Sequence, residues 1–266
     1  MPEGDTIWRA AARLAPALEG KVLVRAEAPR LVGPGPRAGQ RVERVEARGK
    51  YLLVEFDDGG VLETHMRMTG SWHLYRPGER WRRSRSTLRV SLEVEDWVAV
   101  CFSAPHVRYH RPGVRDPGPS HLGPDLTSPD PDLQQAVDRL ARVPTAGTPV
   151  AVALLDQRVF CGVGNVYKSE VLHACGVHPE RPVERLDEAL RRRLVETAHR
   201  MLRANLHTDR RRTVPEGLAV YGRGGEPCRR CGTPIRRAVH GEHVRSTYWC
   251  PRCQAPAPDH GSSGAR

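Results

Sequence analysis

Residues 154–172, LLDQRVFCGVGNVYKSEVL, decide how the second half of the chain is read. Apolar residues recur at helical spacing up to Phe160, the pattern breaks over Cys161-Gly162-Val163-Gly164-Asn165, and a second periodic segment begins at Val166. This predicts two helices joined by a tight glycine turn. Asn165 reads as the N-cap of the second helix. Backbone N–H groups at that helix N-terminus point outward, a geometry that can hold a phosphate. Glu170, within the second helix, reads as structural rather than catalytic.

Outward from this stretch the periodicity stays helical, in DLQQAVDRLARV (132–143), TPVAVALLDQRVF (148–160) and ERLDEALRRRLVETAHRMLRANL (184–206). These define a helical domain over 132–220. Beyond it Cys228-x-x-Cys231 and Cys250-x-x-Cys253 carry the spacing of two knuckles that close a tetrahedral thiolate site. The module over 221–254 is too small to bury much apolar surface, so a structural Zn2+, one per chain, would supply much of its folding energy. The tail 255–266, rich in Pro, Gly and Ser, reads as disordered.

Toward the N-terminus, RPGVRDPGPSHLGPDLTSPDPD (111–132) loses all hydrophobic periodicity and reads as an interdomain linker, placed at 116–131. Before it, seven short segments rich in β-branched and aromatic residues (KVLVRAEA, RVERVEA, YLLVEF, GVLETHM, SWHLY, STLRVSLEV and WVAVCF) suit an antiparallel sandwich or barrel. In STLRVSLEV, Leu88, Val90, Leu92 and Val94 alternate with Arg89, Ser91 and Glu93, predicting one buried and one wet face. The chain begins with a helix from Thr6 to about Glu19, with Ile7, Ala11, Leu14 and Leu18 on one face and Gly20 as its stop.

The 266 residues carry a formal charge of +11, with 39 Arg and only three Lys (Lys21, Lys50, Lys168), which favours a polyanionic partner, nucleic acid first. No apolar run is long enough to span a bilayer and no signal-peptide layout is present, so a cytoplasmic location without membrane attachment is expected. Of the seven cysteines, Cys101, Cys161 and Cys175 read as core residues.

Three features coincide: the terminal Pro2-Glu3-Gly4, the LLDQ…GVGN turn, and RSTYWCPRCQ at the second knuckle. With ARGKYLL around Lys50, THMRMTGSW around Met68 and HLGPDL at 121–126, the ordered set resembles the formamidopyrimidine-DNA glycosylase and endonuclease VIII family of bacteria. The resemblance implies an α+β multidomain protein. Its parts would be an N-terminal antiparallel β-sandwich flanked by helices (1–115), a helix-two-turn-helix domain (132–220) and a zinc-finger hairpin (221–254). It implies a bifunctional DNA glycosylase and abasic-site lyase, monomeric, acting on double-stranded DNA that contains oxidised bases or abasic sites. Pro2 would match the nucleophile, Glu3 the general acid/base, Lys50 the lysine at the lesion and Arg245 the hairpin arginine. Asn165 would contact a phosphate, Met68 would fill the gap left by an extruded base, and Arg67 would meet the orphaned partner base. Ordinary core packing is the rival reading of Met68.

An α-amino group titrates near pH 7.7–8.0, far below a lysine amine. With Met1 removed, the Pro2 nitrogen at a helix N-terminus would be partly neutral and nucleophilic. The segment SAPHVRYH (103–110) lacks the Asp-Pro-Arg-Arg-Phe-Gly motif of the purine-directed branch, and 205–222 is short for that branch's lid. The expected substrate is therefore an oxidised pyrimidine. The alternatives are an oxidised-purine glycosylase and a scaffold that binds damage without catalysis.

Overall fold

The computed structural model describes residues 2–113, 119–240 and 245–256. The chain divides into two compact units, one through Leu122 and one from Gly123.

The first unit opens with helix α1 (Gly4–Leu18), whose Ile7, Ala11, Leu14 and Leu18 are all buried, as their spacing predicts. Eight strands follow: β1 (Arg25–Glu27), β2 (Val42–Arg48), β3 (Tyr51–Phe56), β4 (Val61–His65), β5 (Ser71–Tyr75), β6 (Leu88–Glu93), β7 (Val98–Phe102) and β8 (His106–His110). They pair antiparallel as two four-stranded sheets, ordered β1-β6-β7-β5 and β2-β3-β4-β8. Two separate sheets make a sandwich, not a barrel. Its core joins Val45, Leu52, Val54 and Leu62 from one sheet with Val90, Leu92, Ala99 and Cys101 from the other, closed by the apolar face of α1. Inside that core Trp72 Nε1 of β5 donates to Thr64 Oγ1 of β4 at 3.0 Å.

Two details differ from the strand-by-strand expectation. A register shift between Leu88 and Val90 breaks the alternation of β6. Leu88 then joins Tyr75, Val98, Val100, Phe102 and Trp81 in a second apolar cluster, so the face expected to be wet is partly covered, and Ser91 is buried. Strand β8 was not among the expected segments, because its His, Arg and His alternate with only two apolar residues.

The second unit packs four helices, α2 (Leu133–Ala141), α3 (Val150–Ala153), α4 (Asn165–Cys175) and α5 (Glu188–Ala204), around Leu140, Phe160, Tyr167, Leu172, Leu194 and their neighbours. The helix expected over 148–160 is only α3, one turn long. The Gln157 side chain explains the rest: its Nε2 donates to Leu155 O and Val163 O, and its Oε1 accepts from Gly162 N, so it organises a loop where a longer helix was expected.

Part of the expected linker belongs to this unit. Leu126 is fully buried in the helical core, and Gly123 N donates to Gln157 O at 2.8 Å. A Cβ at Gly123 would stand 2.4 Å from Val159 O, so only glycine permits this approach. The linker expectation over 114–118, and the disordered tail from residue 257 on, lie outside the described residues. A hairpin of β9 (Arg236–His240) and β10 (Arg245–Trp249) completes the unit. Among the described residues no helix is long and apolar enough to cross a membrane.

Candidate active site and nucleic-acid contacts

In the first unit, Glu3 is the N-cap of α1 by its extended backbone, and its carbonyl accepts from Thr6 N and Ile7 N. The Glu3 side chain is fully buried one residue from Pro2. Pro2 lines a cavity of about 190 Å3 with Thr6, Arg9 and Arg13 of α1 and with Met66, Gly70 and His73. The start of the chain therefore meets the two ends of the Met66–Gly70 loop.

That loop presents the residues expected to touch DNA. Met66 is buried and Met68 is 69% exposed, which removes core packing as the reading of Met68. Arg67 has φ +44, a left-handed conformation uncommon outside glycine. Its N–H donates to His65 Nδ1 at 3.1 Å. Gly70 N closes the loop on Met66 O at 2.8 Å. Thr69 Oγ1 ties it to Ser103 O, and Ser103 is itself left-handed at φ +52. Strained backbone held by several contacts is common where a side chain must be presented to a ligand.

Lys50 sits in the tight turn between β2 and β3. Its charge is felt at His65, whose pKa is lowered from 6.5 to about 4, first by burial, then by Arg67, Lys50 and His106. Lys50 and Arg67 are thereby grouped around one neutral imidazole. His65 was not singled out in the sequence. Its only signal was its place beside Met66 in THMRMTG.

In the second unit the glycine turn and α4 form a polar assembly with the hairpin. Gly164, not Asn165, is the N-cap of α4. Asn165 is the first helical residue, and its Nδ2 donates to Ser246 O at 2.7 Å, tying α4 to β10 next to Arg245. Glu170 is structural, as expected: its buried carboxylate accepts from Ala219 N, Val220 N and Tyr221 N at 2.7–2.9 Å and from the Thr213 hydroxyl. Lys168, unassigned in the sequence, is buried in the same place.

The thiols of Cys228, Cys231, Cys250 and Cys253 all lie within 4.8 Å of one another. The separations are 3.4 Å for Cys231–Cys250, 3.5 Å for Cys231–Cys253 and 3.9 Å for Cys228–Cys253. Disulfide sulfurs stand about 2.05 Å apart, so these are not disulfides. Four thiolates at ~2.3 Å around a tetrahedral Zn2+ stand about 3.8 Å apart, and the observed spacing fits that group. Nε2 of His173, on α4, lies 3.6 Å from Cys228 Sγ, so the helix also supports the cysteine cluster.

A sandwich with its buried Glu3 beside Pro2, a glycine turn opening a helix, and a four-cysteine hairpin together define a class of α+β multidomain protein with a candidate metal site. Comparison with known proteins makes the class specific. Residues 1–108 match the formamidopyrimidine-DNA glycosylase N-terminal domain, 122–214 the formamidopyrimidine-DNA glycosylase H2TH domain, and 225–256 the zinc finger found in FPG and IleRS. The chain is 43% identical over 267 residues to a probable endonuclease 8 2 of Streptomyces coelicolor, covering 97% of this chain and 96% of that protein. It is 40% identical to the DNA-(apurinic or apyrimidinic site) lyase Nei2 of Mycolicibacterium smegmatis, covering 96% of this chain and 99% of that protein. The chain belongs to the formamidopyrimidine-DNA glycosylase and endonuclease VIII family. Among solved structures, the complex of Lactococcus lactis Fpg (MutM) with an oxidised-pyrimidine-containing DNA shares the fold, with TM-score 0.82 and 24% identity, covering 96% of this chain and all of that one.

Proposed function

We propose that this chain is a bifunctional DNA glycosylase and abasic-site lyase that removes oxidised pyrimidines from double-stranded DNA. The observation that carries the reading is the terminal site of the first unit. Pro2 lines a cavity with both ends of a loop whose tip, Met68, is an exposed apolar side chain next to the left-handed Arg67. A target base inside a duplex is unreachable until it is flipped out, and an apolar wedge fills the space it leaves. Relatives named endonuclease 8 2 and abasic-site lyase support the same reading.

In this mechanism the neutral Pro2 amine attacks the sugar C1', the base departs, and an iminium forms between Pro2 nitrogen and C1'. Glu3, fully buried one residue from the nucleophile, donates the proton that opens the sugar ring. The iminium acidifies the C2' proton, whose removal expels the 3' phosphate, and a second elimination expels the 5' phosphate. Lys50 holds the lesion strand, Arg67 meets the unpaired partner base, and Asn165 and Arg245 bind backbone phosphates. Zn2+ held by Cys228, Cys231, Cys250 and Cys253 would supply folding energy to the hairpin. Selection of pyrimidines rests on the absence of the purine-branch motif in Ser103–His110.

Borohydride trapping tests the reading. The chain with a duplex containing thymine glycol should give a covalent complex that Pro2→Gly reduces by at least about a hundredfold, while Glu3→Gln slows base release. No adduct with thymine glycol or an abasic site would leave a damage-binding protein without catalysis. A strong preference for oxidised purine would overturn the substrate class.

A further inference from the structure

Lys168 is 1% exposed, in the first turn of α4. Both facts weigh against a cation. Burial strips its hydration, and the positive end of a helix dipole repels it. Among its partners are three neutral acceptors: Asn165 Oδ1 at 2.7 Å, Thr247 Oγ1 at 2.7 Å and Ser246 O at 3.2 Å.

These contacts determine how Asn165 faces its surroundings. An ammonium only donates, so the amide oxygen must turn to Lys168; a carbonyl only accepts, so Nδ2 must turn to Ser246 O. Both bonds are 2.7 Å long. The usual ambiguity between amide oxygen and nitrogen is removed by chemistry. One Nδ2–H is used by Ser246, and the direction of the other is fixed. The same ammonium binds β10 at Ser246 and Thr247, the two residues after Arg245.

We propose that Lys168 is a positioning residue for DNA: it locks the Asn165 amide and pins β10, so that the first turn of α4 and the Arg245 strand act as one phosphate-binding element. The proposal rests on the reading of Asn165 as a phosphate contact.

The test is a double-mutant cycle read by fluorescence anisotropy on a duplex carrying a tetrahydrofuran abasic analogue. Asn165→Ala should weaken binding about tenfold, the effect of one hydrogen bond to a charged group. Lys168→Met should weaken it by a similar factor, and the double variant should be no worse than either single one. Unaltered binding by Lys168→Met, or a double loss equal to the product of the two, would overturn the proposal. No effect of Asn165→Ala would instead remove the phosphate reading beneath it. Should Lys168→Met fail to fold, 15N NMR of the unaltered chain decides. The Asn165 side-chain protons, assigned by their loss in Asn165→Ala, should exchange unequally with solvent, the one bonded to Ser246 O far more slowly, with DNA shifting the other. Two protons that both exchange rapidly, with neither shifted by DNA, would sink the idea.

Discussion

The Met66–Gly70 loop and the first two turns of α4 are built by opposite means. The loop presents its tip by exposure: Met68 projects, Arg67 is left-handed, and tight glycine packing at Gly70 holds the base, where a Cβ would stand 2.7 Å from Met66 O. The start of α4 works by burial: Asn165, Lys168, Ser169 and Glu170 are all covered, and each makes hydrogen bonds. A residue placed by exposure can be changed with little effect on folding. A buried and satisfied polar group leaves its partners stranded when it is removed. Substitutions in the two regions should therefore separate activity from stability.

The largest expected effect comes from removing the Zn2+ that the four cysteines would hold. The apolar cluster of the hairpin module is small, centred on Ala219, Val220, Cys228, Ile235 and Cys250. Structural zinc in such modules is worth roughly 10–16 kcal/mol. Chelation should abolish hydrogen-exchange protection of β9 and β10 while the amides of β6 and β7 stay protected. Protection of β10 surviving complete metal removal would show that α4 alone holds the hairpin.

Next comes Glu170. Replacing it by Ala strands the N–H groups of Ala219, Val220 and Tyr221, each costing about 1–3 kcal/mol if it stays dry. Urea unfolding should show a loss on the order of 3 kcal/mol or more. A loss below about 1 kcal/mol would mean that water reaches these groups, and the contrast with the loop would weaken.

A smaller effect is expected from His65. Its folded pKa of about 4 lies below the ordinary 6.5, so acid protonates the unfolded chain first. Stability from this group is fully present above about pH 6.5 and is lost progressively as pH falls toward 4. His65→Asn should flatten the pH dependence of unfolding in that window, measured against the unaltered chain. An unchanged slope would place the depressed imidazole elsewhere.

Much of this arrangement was legible in the sequence wherever the signal was periodic or covalently local. The spacing of Ile7, Ala11, Leu14 and Leu18 specified α1, and two Cys-x-x-Cys pairs specified the cysteine cluster. Features that depend on distant partners were not legible. Gln157 organises a loop from residues that look helical, and Leu126 is buried inside what looks like a linker. Strand β8 is defined by pairing with β4, where Glu63 accepts from His106 and His110, and nothing local announces that match. Lys168 carries no signal in the sequence, and its burial depends on Ser246 and Thr247 some eighty residues later.

Met68 gives the smallest stability effect and the sharpest contrast. Truncating an exposed side chain away from core packing usually changes stability by less than about 0.5 kcal/mol. Met68→Ala should therefore unfold at the same urea concentration as the unaltered chain. Its loss should appear instead in chemistry on paired substrates, where an unstacked gap must be filled at a cost of a few kcal/mol. On a single strand there is no duplex gap, and the variant should approach the rate of the unaltered chain. Equal losses on duplex and single strand would mean that Met68 touches the reacting nucleotide itself. A large fall in stability would mean that the loop tip is packed after all, and that exposure is not how this region works.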